Sequence, residues 1–397
     1  METLVKTVFE SMSSINKPQR LFMMSLLSVL SVFQGRATYR NLSRYCPMSE
    51  RCFSRWYARD LDFSGFNAQL LSQVLPVEGN KIAAIDASFM SKSGQHTQGL
   101  GWFYNGSAGE TQRGLEISMI SIVDVQSNTA YSLDARQTLD QKGRSRTAYY
   151  TEQLVSQAPI LKHQGIRYVA ADAYYSKEPF VSPVLAAGLH VVGKLRVDAD
   201  LRWMNEAPYS GKGRPKKFAG KVNFDDAYQQ FESLGEIEAG ITPYTQVVYS
   251  VMLKRKIRVV MLRTVQGRCV RQALLYSTDT ELTAVTLLTY YKARFQIEFL
   301  FRDAKQYTGL AHCQSRKNQA INNHVNASLT ALNLLKIEDR HCKQTENASV
   351  ISIASWKRKK FNQHLMARLF DELELDLNCQ KVMTVYRQFS DYGAIAA

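Results

Sequence analysis

Apolar and polar positions divide the chain into stretches of different texture. Residues 1–75 read as helical and open on the apolar run LFMMSLLSVLSVF, residues 21–33. From residue 81 the pattern becomes an alternation of strands and helices. KIAAIDASFM is an apolar run ending in an acid, and a Gly-rich loop follows, SGQHTQGLGWFYNGSAGE. LEISMISIVDV and TAYSLDARQT are rich in β-branched and aromatic residues and predict strands. Residues 146–161 predict a helix, and GIRYVAADAYYSKEPF repeats the strand-to-acid pattern. A helix starting in SKEPFVSPVLAAG and a strand over LHVVGKLR complete this part. Such alternation predicts an α/β sheet with helices on its faces. Residues 198–275 interrupt it with apolar and basic strands, TQVVYSVMLKRKIRVVMLRTV and QALLYSTD, and read as a β-rich insertion. Residues 318–375 return to helix.

The 13-residue run 21–33 is too short to span a bilayer, which needs about 20 residues. It also starts late, and no small-x-small cleavage site follows, so a buried helix is expected and no membrane partner. The chain carries 50 Lys and Arg against 35 Asp and Glu, a net charge of +15. That balance favours a polyanion, because cations that neutralise phosphates release bound counterions. Six cysteines at 46, 52, 269, 313, 342 and 379 form no CxxC pair and no disulfide framework, which points to a reducing compartment and away from structural zinc.

Two segments concentrate the positive charge. TYRNLSRY, a Pro-containing break at Cys46–Ser49, and ERCFSRWYAR have the outline of a helix-turn-helix. Arg36, Arg40, Arg44, Arg51, Arg55 and Arg59 recur along it, interleaved with Tyr39, Tyr45, Trp56 and Tyr57. This composition suits helices laid against DNA, or else a helical subdomain with a solvated basic face. YSGKGRPKKFAGK, residues 209–221, carries Lys212, Arg214, Lys216, Lys217 and Lys221. It reads as a loop near a phosphate backbone, the alternative being a solvated charge run.

The candidate chemistry lies in acids. Asp86 follows IAAI and Asp172 follows YVAA, so both emerge at the strand C-termini, the functional edge of an α/β sheet. Two such acids brought together repel and call for a cation, and a divalent metal with oxygen ligands fits. Over YYKARFQIEFLFRDAKQYTG, one helix at about 100° per residue puts Tyr291, Arg294, Glu298, Arg302 and Lys305 on a face of about 80°. Ala293, Ile297, Leu300 and Ala304 make the apolar stripe, and Asp303 turns away. Glu298 is thus the acid set among Tyr, Arg and Lys, unless the face is only a salt-bridged solvent surface.

The spacing Tyr291-x2-Arg294-x3-Glu298-x6-Lys305 resembles the Y-x2-R-x3-E-x6-K signature of the insertion-sequence-four family of bacterial DDE transposases. IDAS around Asp86 and DAYYS around Asp172 strengthen the resemblance, which covers residues of roughly 80–340. It implies an α/β, RNase H-like mixed sheet flanked by helices, with Asp86 on the first strand, Asp172 after the fourth and Glu298 on a later helix. The separation 298 − 172 = 126 residues agrees with an insertion at this point. It further implies that Asp86, Asp172 and Glu298 are catalytic and hold two Mg²⁺ ions, for which Mn²⁺ substitutes. Tyr291, Arg294, Arg302 and Lys305 would bind phosphates beside the scissile bond. Trp203 in the insertion is either a stacking platform for an extruded base or a core tryptophan.

The expected organisation is a helical, helix-turn-helix-like DNA-binding region over 1–75 and a catalytic core over 76–197. The insertion over 198–275, the rest of the core over 276–340 and a helical C-terminal region over 341–397 follow. The activity implied is end nicking, hairpin formation and strand transfer of double-stranded DNA, by a homodimer on the nucleoid in a bacterial cytoplasm. Other readings are an RNase H-like nuclease without strand transfer and a non-catalytic DNA-binding derivative. A glycosidase with paired carboxylates is disfavoured by the cationic helix and the +15 charge.

Overall fold

A computed structural model describes residues 2–139, 143–205, 208, 214–238, 240–266, 269–343, 352–376 and 378–394. Five helices lead the chain: α1 (Glu2–Ser11), α2 (Lys17–Val32), α3 (Tyr39–Leu42), α4 (Glu50–Tyr57) and α5 (Phe63–Val74). Asn16 caps α2 in a reciprocal capping box with Gln19, and Pro18 lies in its first turn. The α2 run from Phe22 to Val32 is mostly buried, as its apolar composition requires. Among the described residues no helix is long and apolar enough to cross a membrane.

Among the described residues twelve strands form one mixed sheet. They are β1 (Lys81–Ser91), β2 (Gly101–Asn105), β3 (Glu110–Asp124), β4 (Thr129–Gln137), β5 (Tyr168–Ala170), β6 (His190–Leu195), β7 (Leu201–Met204), β8 (Phe218–Lys221), β9 (Glu232–Ser233), β10 (Ile241–Ser250), β11 (Arg255–Gln266) and β12 (Cys269–Ser277). The order is β2-β3-β1-β5-β6-β12-β11-β10-β7-β8, with β4 on β3 and β9 on β10. β5 pairs in parallel with β1 and β6, whereas the β1–β3, β3–β4 and β6–β12 pairs are antiparallel. The remaining helices are α6 (Arg146–His163), α7 (Glu178–Ala186), α8 (Ala284–Ala293), α9 (Gln296–Tyr307), α10 (Asn318–Lys343), α11 (Ile353–Glu372) and α12 (Gln380–Ser390). This is the mixed α/β architecture, a large sheet flanked by helices, expected of an RNase H-like fold.

Alternation along β1 explains how the layers form. Ala83 and Ile85 face a core shared with α1, α2, α5, α6 and α7, whereas Ile82 and Ala84 face one shared with α8, α9 and α10. A strand covered on both sides reads as a continuous apolar run, which is why KIAAI shows no polar alternation. Two details differ from expectation. The Gly-rich loop contains β2, which folds back antiparallel on β3, so Asp172 follows the fifth strand. The residues read as interrupting the sheet extend it instead, since β12 pairs with β6 from Ser277↔Val192 to Leu274↔Leu195.

Among the described residues β4 pairs with β3 alone, and asparagines of α10 satisfy its outer edge. Asn333 Oδ1 accepts from Ser132 N at 2.9 Å while its Nδ2 donates to Ser132 O at 2.8 Å. Asn326 makes the same pair with Ala135, at 3.0 and 2.7 Å, and Asn322 accepts from Gln137 N at 2.8 Å. A carboxamide carries one donor and one acceptor group side by side and so imitates a neighbouring strand. The N-terminal helices dock on the same element: Asn323 Nδ2 donates to Tyr57 O at 3.0 Å. Tyr39 reaches Ser315 at 2.7 Å, and Ala37 N donates to His312 Nδ1 at 3.1 Å.

Candidate active site

Side-chain alternation places the acids. Asp86 has the parity of Ile82 and Ala84 and therefore points to the α8–α9 side of the sheet. The parallel register Ala84↔Ala170, continued by two residues, sets Asp172 beside Asp86. Asp172 ends the short β5 run and heads a 3₁₀ turn over Ala173–Tyr175, accepting from Tyr174 N at 2.8 Å. Asp86 Oδ1 accepts from Ala87 N at 2.8 Å.

Helix α9 brings Glu298, and Arg294 joins it to the strand. The Arg294 guanidinium lies 3.1 Å from Glu298 Oε1 and 3.8 Å from Asp86 Oδ2, with only 13 % of its side chain exposed. Its buried Nε has no hydrogen-bond partner among the described residues. The guanidinium also stands 5.7 Å from the Tyr291 ring centroid. Burial pushes the Asp86 carboxyl up from 3.8 to about 7. The Ala87 N–H and Arg294 oppose that rise, and the negative charges of Asp172 and Glu298 add to it. Burial likewise raises the Tyr291 phenol, with Arg294 lowering it and Asp172 raising it. Asp86, Asp172, Glu298, Tyr291 and Arg294 therefore share one electrostatic neighbourhood.

Lys305 reaches the same sheet face through a different partner. Its ammonium donates to Ser88 Oγ at 2.9 Å and to Phe89 O at 3.0 Å, clasping β1 two residues beyond Asp86. Burial lowers its pKa.

Residues 291–305 do not form one helix. The α-helical pattern breaks at Arg294 and Phe295, where the hydrogen bonds shorten to i→i+3: Phe295 N to Lys292 O, Ile297 N to Arg294 O and Glu298 N to Phe295 O. The apolar stripe survives, with Ala293, Ile297, Leu300 and Ala304 all buried. Arg302 does not join the Glu298 face; it pairs with Asp303 at 3.0 Å and lies over the Phe299 ring at 4.5 Å. Asp303 is itself buried, on the side of α9 near Lys336 of α10.

The other basic candidates belong to other segments of the chain. Arg40 on α3, Arg44 between α3 and α4, and Arg55 on α4 are exposed, as are Arg36, Arg51 and Arg59. The interleaved aromatics turn inward: Trp56 stacks on Phe22 at 5.3 Å, and Tyr39 meets Tyr57 edge-on at 4.9 Å. Arg214 and Lys216 are exposed, and Lys212 lies outside the described residues. Trp203, on β7, is half-buried and edge-on to Phe231 at 5.6 Å.

Sequence reading passed over Tyr175 and Glu116. Tyr175 is buried and its phenol is held far up, first by burial and then by Asp86, Tyr150, Asp172 and Glu116. Glu116 is buried and accepts from Tyr150. The doubled tyrosine of DAYYS was the available signal for the first; an acid opening an apolar strand was the signal for the second.

The donor chemistry suits a hard divalent cation: the charges of Asp172 and Glu298 act on Asp86, whose own carboxyl is raised first by burial. Among the described residues no three acids, histidines or cysteines stand close enough to enclose one ion. The Arg294 guanidinium stands between Asp86 and Glu298. The family model for the transposase DDE domain matches residues 78–334, well over half of the 397. No curated protein matches the chain's sequence.

Proposed function

The chain belongs to the transposase DDE domain family, and from that membership we propose a metal-dependent cut-and-paste transposase of the insertion-sequence-four type. It nicks transposon ends, passes through a hairpin intermediate and joins the freed 3′-hydroxyl to target DNA. The observation that supports this reading is Arg294 standing between Asp86 and Glu298, with the charge of Asp172 acting on Asp86 from the neighbouring strand end.

Asp86, Asp172 and Glu298 would hold two Mg²⁺ ions or, in substitution, Mn²⁺. Such ions supply charge neutralisation at the phosphate and a water or hydroxyl of lowered pKa. The chain's own groups position the DNA. Arg294 exchanges its carboxylates for a phosphate oxygen, to which a guanidinium offers two parallel donors. Tyr291 supplies a neutral phenol donor beside it, because burial keeps the proton on. Lys305 fixes α9 on β1 and keeps a cation beside the scissile phosphate. Arg302, with its guanidinium exposed, contacts phosphate further out.

Residues 1–75 serve as the DNA-binding region, with Arg40, Arg44 and Arg55 on phosphates. Arg214 and Lys216, with Lys212, track the backbone from the insertion. The protein works as a homodimer on double-stranded DNA in a bacterial cytoplasm, because two ends are cut in one complex.

The test is incubation with Mg²⁺, a plasmid target and a duplex carrying the inverted repeats that flank its coding region. Wild type gives nicked and then joined products, and Asp86→Ala, Asp172→Ala and Glu298→Ala give neither while still binding DNA. Nicks without joined products convert the reading to a nuclease. Undiminished cutting by any of the three variants removes the triad.

A further inference from the structure

Strand β2 is the outermost strand of the sheet beside β3. Its alternation buries Phe103 and leaves Trp102 and Tyr104 on the opposite face, 65 % and 63 % exposed. Trp356 is buried, and Trp56 and Trp203 are half-buried, so Trp102 stands apart from the other tryptophans of the chain. Arg113, also exposed, is the cross-strand partner of Trp102 and lies on its face; Thr111 takes the same place opposite Tyr104.

The hairpin is held rigid from behind. Arg146 donates to Trp102 O at 2.8 Å, and its guanidinium covers the Phe103 ring at 4.6 Å. Trp102, Phe103, Thr138, Arg144, Arg146 and Tyr149 line a cleft of about 380 Å³ there, a size that admits a small ligand. The acid on the hairpin, Glu110, is engaged by Gln112 Nε2 at 2.8 Å.

We propose that the outer face of β2–β3, with Trp102 and Tyr104 as stacking rings and Arg113 as phosphate partner, binds unpaired nucleotides of single-stranded DNA. This site rests on the DNA-cutting function proposed above and adds a place for the strand that cutting frees. Spacing favours single strands over duplex. Rings two residues apart on a strand are separated by about 6.8 Å, twice the roughly 3.4 Å step of stacked duplex bases. Bases lying on both rings must therefore be parted from each other, which an unpaired strand permits and a duplex does not. Stacking tolerates any base, and exposed arginine adds the salt-dependent phosphate contact. The position is also suitable. On β3, Arg113 is opposite Trp102 and Met119 is opposite Asp86, six residues apart, or about 20 Å. That is roughly six nucleotide steps from the scissile phosphate at the duplex rise.

The test uses the full chain in EDTA, titrated with a single-stranded 12-nucleotide probe and, separately, with the same sequence as duplex. Quenching of the exposed Trp102 emission and fluorescence anisotropy of labelled probe are read together. Single strand quenches wild type; the Trp102→Ala/Tyr104→Ala double variant binds it about tenfold or more weaker, and Trp102→Phe/Tyr104→Phe stays within about threefold of wild type. Duplex affinity is unchanged in both, and circular dichroism confirms the fold. Single-strand affinity unaltered in the double alanine variant overturns the proposal, as does an equal loss on duplex. A protein strand that adds to the β2 edge would leave affinity for DNA untouched and so falls in the overturning class. The cutting function is judged apart, by Mg²⁺-dependent nicking of duplex, which the double alanine variant retains.

Discussion

The guanidinium of Arg294 stands 3.8 Å from the carboxylate of Asp86 and 3.1 Å from that of Glu298, so one cation links a strand to a helix. It is 13 % exposed, and removing it leaves two neighbouring carboxylates facing each other across a partly dry space. Arg294→Ala is expected to lose on the order of 2 kcal/mol of stability at pH 8 in EDTA. Mg²⁺ or Mn²⁺ should restore more of that loss than it adds to wild type. Thermal melts with and without Mn²⁺ check this; an identical metal response in both proteins would mean that Arg294 is no counter-ion to the acids.

Asp86 gives the apo protein a pH dependence of definite sign. Its carboxyl is raised from 3.8 to about 7, so between those values the folded state binds a proton that the unfolded state has released. Stability therefore falls as pH rises from about 4 to about 7. Asp86→Asn cannot ionise. In EDTA it should match wild type near pH 4 and exceed it at pH 8 by on the order of 2 kcal/mol, a figure discounted for the 22 % exposure of the Asp86 side chain. Urea titrations at the two pH values decide it, and a variant no more stable at pH 8 would show that the raised carboxyl is compensated elsewhere.

Glu298 and Asp303 separate chemistry from stability. Glu298→Ala should fold normally and lose Mg²⁺-dependent cleavage by at least about a hundredfold, because its carboxylate meets Arg294 and, across it, Asp86. Asp303 is buried, pairs with Arg302 and lies near Lys336, whose own pKa burial lowers to about 8. Asp303→Ala should cost on the order of 2 kcal/mol by leaving that lysine without an acid, yet cut normally per folded molecule. Active-site titration of the folded fraction is the control. A stable, inactive Asp303→Ala protein would reassign the third acid.

How much of this was legible in sequence depends on whether the signal was local. The apolar runs before Asp86 and Asp172 set strand positions, and parity then sets the face, so two acids and the sheet could be read directly. One continuous helix over 291–305 points to Glu298, although i→i+3 bonds at Arg294 and Phe295 interrupt that helix. No Gly or Pro marks that break, and the apolar stripe on both sides disguises it. The same break helps explain Arg302, which meets Asp303 rather than Glu298. β2 was hidden because its flanking glycines read as loop, while GWFYN itself has strand composition. That the insertion continues the main sheet depends on the β6–β12 pairing, a contact between segments about 80 residues apart, and no local pattern carries it.

Helix α10 supplies a prediction that the sequence also held, in the polar residues of NNHVNASLTALNLL. Asn322, Asn326 and Asn333 recur at spacings of four and seven, one face of a helix, and all three satisfy the edge of β4. Asn333 is wholly buried and also donates to Asn67 Oδ1 at 3.2 Å, joining α5 to the sheet. Asn333→Leu would place a similar volume there but orphan the N–H and C=O of Ser132, together with one acceptor bond of Asn67. Each unsatisfied buried group costs about 1–3 kcal/mol, so a loss on the order of 4 kcal/mol is expected. Exposed His341, near the end of the same helix, is the control, and His341→Leu should change stability by less than about 0.5 kcal/mol. Hydrogen exchange at the Ser132 and Ala135 amides gives the local readout. Protection should collapse at Ser132 in Asn333→Leu and persist at Ala135, which Asn326 still holds; equal protection at both would show that β4 does not need the asparagine edge.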